Sequence, residues 1–195
     1  MHSDWNTHSK ADIQHDHLSA LWNKETGEQL LTDCIRTAKA QSTSFLVVLL
    51  DINDLHTINK NCGHQEGDRV LQRVAEKIRG SLQTGDFAIR LGGDEFLLVF
   101  KQLSKKEARN QLYQLQSELH TESKELPYVM GFCFGMTRVD PDMELSLKKL
   151  SCAQMMRCMC QSAAIIWRNQ DRPLPCTHIT KVRRYVSFPM IRICC

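Results

Sequence analysis

Three observations predict an α+β fold for this 195-residue chain. Apolar residues recur at helical spacing in several segments, a continuously apolar six-residue run stands between two of them, and two short apolar stretches flank a Gly-Gly turn. Helices alternating with strands, with one hairpin inserted, place the helices on the faces of a single sheet. The length suits one domain with a sizeable buried core.

Residues 1–15 show neither apolar period nor turn logic and are expected to form a mobile N-terminal arm. From Lys24 to Ala40, the side chains of Leu30, Leu31, Cys34, Ile35 and Ala38 share one helical face. Residues 45–50 are apolar throughout, which fits a strand buried on both faces at the centre of the sheet. After a polar connector, Val70, Leu71, Val74, Ala75 and Ile78 mark a second helix beginning near Gln65. Residues 87–91 and 96–100 flank Gly92-Gly93-Asp94-Glu95, a hairpin whose tight turn uses the positive φ angles open to glycine.

Ser104 with Glu107 is a capping box for a third helix, which turns Ala108, Leu112, Leu115 and Leu119 inward. Pro127 ends that stretch, residues 128–139 read as a strand, Asp140-Pro141 as a turn and residues 145–159 as a fourth helix. Residues 163–167 fit a short final strand, and residues 168–195 make a basic, Cys-containing tail. This order of elements is that of a ferredoxin-like sheet.

Composition excludes several classes. The formal net charge is +3, and the excess is local, with six Lys/Arg against the single Asp171 beyond Trp167. The body of the chain is therefore no basic nucleic-acid binder, and no nucleic acid is expected as a partner. No apolar run approaches a membrane span, and the polar, His-rich start has no apolar leader, so a cytoplasmic location is expected. Nine cysteines, an odd number with six in the last 44 residues, do not form a disulfide framework and suit a reducing compartment.

The chemistry-bearing residues are Asp94 and Glu95 in the hairpin turn and Asp51 at the exit of the buried strand. Acids in a tight turn are ordinary solvated loop residues when taken alone. If the hairpin flanks the 45–50 strand, however, three carboxylates converge at one end of the sheet and repel one another unless a cation sits among them. Hard carboxylate oxygens suit Mg2+, which binds through one or two carboxylates together with substrate phosphates. Triphosphate chemistry is the leading expectation.

The run Arg90-Leu-Gly-Gly-Asp-Glu-Phe96 resembles the signature of the GGDEF-domain diguanylate cyclases. Further blocks carry the resemblance: residues 16–23 look like the family's opening wide turn, Asp51-Ile52 like its metal-binding strand end, and Ile58-Asn59, Gly63-His64 and Gly67-Asp68 like its nucleotide-binding helix-turn. The resemblance implies a GGDEF domain over residues 16–167, with a nucleotide-cyclase-type sheet and a catalytic hairpin. It implies condensation of two GTP into cyclic di-GMP and two pyrophosphates.

By the same resemblance Asp51, the carbonyl of Ile52, Asp94 and Glu95 hold two Mg2+ ions per GTP site. Asp94 and Glu95 are the catalytic pair, with Asp94 as the base, while Asn59, His64, Asp68, Gly92 and Gly93 bind substrate. An Asp carboxylate accepts the adjacent N1–H and N2–H₂ donors of guanine, whereas adenine would set an acceptor against it. Each half-site holds one GTP, so a homodimer is required for turnover. For Asn59 and Asp68 helix capping is the alternative role, and for His64 the completion of a turn.

The match departs from the family at named positions. His56 stands where the family commonly has Lys, Asn53 replaces an acid, and Lys60 replaces an Asp. Gln83-Thr-Gly-Asp86 keeps the Asp of the product-inhibition motif and lacks its Arg, which predicts feeble product feedback. The tail lacks the family's closing phosphate contacts. A degenerate GGDEF module that binds GTP or a protein partner without catalysis is therefore the alternative function.

Overall fold

The computed structural model describes residues 14–143. Helix α1 (Lys24–Gln41) is followed by β1 (Phe45–Ile52), α2 (Leu55–Cys62), α3 (His64–Ser81), β2 (Phe87–Gly92), β3 (Glu95–Phe100), α4 (Lys105–Glu122) and β4 (Phe132–Val139). The strands form one sheet in the order β2-β3-β1-β4, with every neighbouring pair antiparallel.

β1 is central, as its unbroken apolar run requires: its residues 45–50 are all buried. Period-2 alternation divides them between two cores. Leu46, Val48, Leu50 and Ile52 join α2, α3 and α4 on one face, whereas Val47 and Leu49 join α1 on the other. The helix ends follow local chemistry. The Asn23 side chain accepts from the Thr26 N–H at 2.9 Å to open α1, and Ser104 with Glu107 forms the expected capping box of α4.

The connector after β1 differs from expectation. Residues 55–62 form α2, and α3 starts at His64. A helix of eight residues buries only Leu55 and Ile58, too few apolar positions to show a period. The stretch expected as a strand from residue 128 is a strand only from Phe132; a 3-10 turn at Ser123–Glu125 and an irregular segment precede it. Met130 is buried there while Val129 and Leu126 are exposed, so the apolar residues do not alternate as a ladder would need. The fourth helix, the final strand, the tail and nearly all of the N-terminal arm lie outside the described residues.

Candidate active site

The antiparallel register decides the acidic end of the site. Asp51 lies directly opposite Glu95 of β3 and, on its other side, opposite Cys133 of β4. Opposed residues in antiparallel strands project from the same face, so Asp51 and Glu95 are neighbours in the row that Val47 and Leu49 begin. One residue further, the Ile52 N–H donates to the Asp94 carbonyl at 3.0 Å. The hairpin closes with Gly92 opposite Glu95, and the register shift between Arg90 and Gly92 is a bulge at Leu91. Gly92 (φ 142°) and Gly93 (φ 55°) occupy conformations that side chains disfavour.

Arg90 holds this turn from behind. Its guanidinium donates to Asp16 Oδ1 at 2.9 Å and to the Gly93 carbonyl at 2.9 Å, and the side chain is 13% exposed. Asp16 Oδ1 also accepts the Ser19 N–H at 2.8 Å. Burial alone would raise the Asp16 carboxyl, but hydrogen bonds from Arg90 and Ser19 and the Arg90 charge outweigh it and hold the group below its ordinary value. The backbone follows the same path: the Arg90 N–H donates to the Trp22 carbonyl at 2.8 Å, and the Trp22 N–H to the Ala88 carbonyl at 3.2 Å. The opening turn is thereby stitched to the outer edge of β2.

The second half of the site begins two residues after β1. Asn59 lies within α2, Gly63 (φ 91°) separates the helices, and His64 and Asp68 are exposed on the first turns of α3. Asn59 and Asp68 are thus internal to their helices, and neither serves as a cap. A Cβ at Gly67 would overlap the Asn59 amide oxygen, so the side chain of Asn59 fits only because residue 67 has none. That oxygen is buried and has no hydrogen-bond partner among the described residues. An unpaired buried acceptor costs about 1–3 kcal/mol and marks a place where a donor is missing. His56 and Lys60 are exposed on α2.

The sheet therefore brings Asp51 to Glu95 by register and to Asp94 by a backbone bond, and α2 and α3 bring Asn59 to Gly67 and Asp68. The three carboxylates come from β1, the hairpin turn and β3. Among the described residues no three of His, Cys, Asp and Glu are grouped as a metal site. Asp94 sits in the turn, off the ladder that pairs Asp51 with Glu95. The carboxylates of Asp51, Glu95 and Asp94 are hard oxygen donors of the kind that binds Mg2+ together with phosphate oxygens. The Arg90–Asp16 brace has one signal in the sequence, an Arg three residues before an acidic turn.

A four-stranded antiparallel sheet with helices on both faces and an acidic hairpin beside its central strand defines the α+β nucleotide-cyclase-like class. The chain belongs, within that class, to the GGDEF family: the family model "Diguanylate cyclase, GGDEF domain" matches residues 13–163. The chain is 35% identical over 101 residues to the diguanylate cyclase TpbB of Pseudomonas aeruginosa, covering 52% of this chain and 23% of that protein. It is 31% identical over 132 residues to the diguanylate cyclase DgcP of Escherichia coli, covering 65% and 38% respectively. It thus spans well under half the length of either relative. A solved microbial GGDEF domain, described for its mode of interaction with cyclic di-GMP, superposes with a TM-score of 0.65 at 30% identity, covering 76% of this chain and 91% of the other. Among the described residues no helix is long and apolar enough to cross a membrane.

Proposed function

We propose that this chain is a working diguanylate cyclase domain over residues 16–167, which condenses two GTP into cyclic di-GMP in a cytoplasmic setting. The observation that carries the reading is the strand end: Asp51 opposite Glu95, with the Ile52 N–H bonded to the Asp94 carbonyl. In the reaction the 3′-oxygen of one GTP forms a bond to the α-phosphorus of the other, the bond from that phosphorus to pyrophosphate breaks, and the 3′-proton passes to Asp94. Repetition in the opposite sense closes the ring and releases the second pyrophosphate.

Asp51, the Ile52 carbonyl, Asp94 and Glu95 would hold magnesium, which when bound neutralises phosphate charge and acts as a Lewis acid. Glu95 keeps the negative potential at the strand end. Asp68 accepts the paired donors of the guanine edge and the Asn59 amide both gives and accepts, which rejects adenine. Gly92 and Gly93 leave open space above the turn for phosphates, and His64, at the start of α3, would contact substrate. Two such domains face each other during turnover, because each contributes one nucleotide.

The alternative, binding of GTP or a protein partner without turnover, is favoured by His56, an exposed imidazole in the place of the family's Lys. Incubation with GTP and Mg2+ followed by product analysis decides between them. Cyclic di-GMP should accumulate with the unmodified chain and not with Asp94→Ala. No product from the unmodified chain, with GTP still bound, would establish the alternative.

A further inference from the structure

We propose that residues 123–131 form a strut that spaces the two halves of the site, with Tyr128 as its positioning residue, acting on the first turn of α3 through Glu66. The inference rests on the reading that Asn59 and Asp68 hold guanine.

The strut is tied at both ends. Ser123, buried at the end of α4, donates its hydroxyl to the Leu119 carbonyl at 2.7 Å and accepts the Met130 N–H at 2.7 Å, which closes the loop between them. The Gly131 carbonyl accepts the Asn53 N–H at 3.0 Å, one residue from Ile52 and hence from the acidic half. Between these ties the Tyr128 hydroxyl donates to Glu66 Oε2 at 2.8 Å, a contact between residues 62 apart in sequence. The Tyr128 ring packs, with Cys62, on the rim of the larger core. Burial, then the Glu66 carboxylate, pushes the phenol up to about 12, so it remains a donor throughout the neutral range.

The first turn of α3 needs this tether. Gly63 provides no side-chain cap, and the Glu66 and Gly67 N–H groups reach its carbonyl at 3.2 and 3.4 Å, long for hydrogen bonds. Glu66 immediately precedes Gly67, whose backbone bears on Asn59, and stands two residues before Asp68. Its other side-chain partner, Arg69, is on the same helix and largely exposed, so it fixes nothing relative to the sheet. Tyr128 therefore sets where the guanine-reading turn sits relative to the strand end that would hold the phosphates.

The test uses the full chain and α,β-methylene GTP, which binds without turning over. Tyr128→Phe and Glu66→Ala should each weaken binding about fivefold, as expected for the loss of one charge-assisted hydrogen bond acting at a distance. The double variant should be no weaker than either single one, and steady-state KM should rise with kcat unchanged. Glu66→Ala, on the helix surface, supplies the same reading if Tyr128→Phe lowers the melting temperature. The strut is overturned if the single variants bind within twofold of the parent, or if their losses multiply, while Asp68→Ala weakens binding at least tenfold. If Asp68→Ala binds as the parent does, the guanine reading fails first and the strut with it.

Discussion

The two halves of the site are built by different means. At the strand end, Asp51, Glu95 and Asp94 are positioned by ladder and turn hydrogen bonds between β1 and β3, with Arg90 bracing the turn against Asp16. At the helix-turn, Asn59, Gly67 and Asp68 are positioned by the close approach of α2 and the first turns of α3, with one long-range hydrogen bond from Tyr128. A backbone ladder tolerates exchange of the side chains it carries, because its geometry is independent of them. A packed turn does not, because its geometry is made of those side chains. Substitutions at the strand end should therefore change chemistry and spare the architecture, and those at the helix-turn should change affinity and architecture together.

The sharpest expected effect is at the strand end. Asp94→Ala should lower turnover by on the order of 10³-fold, the usual worth of a general base, while GTP affinity measured by calorimetry without Mg2+ stays within about twofold. A collapse of affinity as well would show that the halves are not separable. Next comes Asp68→Ala, which should narrow the preference for GTP over ATP by roughly 10- to 100-fold in competition binding, since a site built to accept donors loses its means of rejecting their absence.

Gly67→Ala breaks the comparison most directly at the packed half. Alanine is favoured over glycine within a helix by about 1 kcal/mol, yet its Cβ collides with Asn59. Overpacking costs typically 1–3 kcal/mol, so chemical denaturation should show a small net loss of stability and GTP affinity should drop about tenfold.

The smallest effect is the acid response of the brace. Because the Asp16 carboxyl is held below its ordinary value in the folded protein, its contribution is present above that value. It is lost as pH falls through the lowered folded value. The protection of the Trp22 and Arg90 amides against hydrogen exchange, relative to their intrinsic rates, should fall there, and Asp16→Asn should abolish that change.

Much of this was legible in the chain of letters, for local reasons. The six apolar residues 45–50 identify the central strand, Gly92 and Gly93 identify the turn, and Ser104 with Glu107 identifies the start of α4. The short helix α2 was legible only through the resemblance of Ile58-Asn59 to the family's helix-turn, since eight residues with two buried side chains carry no readable period. Nor was the irregular path of residues 126–131, whose apolar composition imitates a strand while Ser123 and Asn53 hold it otherwise.

The linear sequence by itself determined the elements that depend on neighbours in the chain: hydrophobic period, capping and turn chemistry, together with the motif that signals the family. Only the tertiary structure decided that Asp51 faces Glu95, that Arg90 reaches Asp16 across 74 residues, and that Tyr128 reaches Glu66 across 62. Strand register and long-range hydrogen bonds are settled by how all the elements pack at once. A one-residue slip of β3 against β1 would turn every one of its side chains to the opposite face without altering a single local preference.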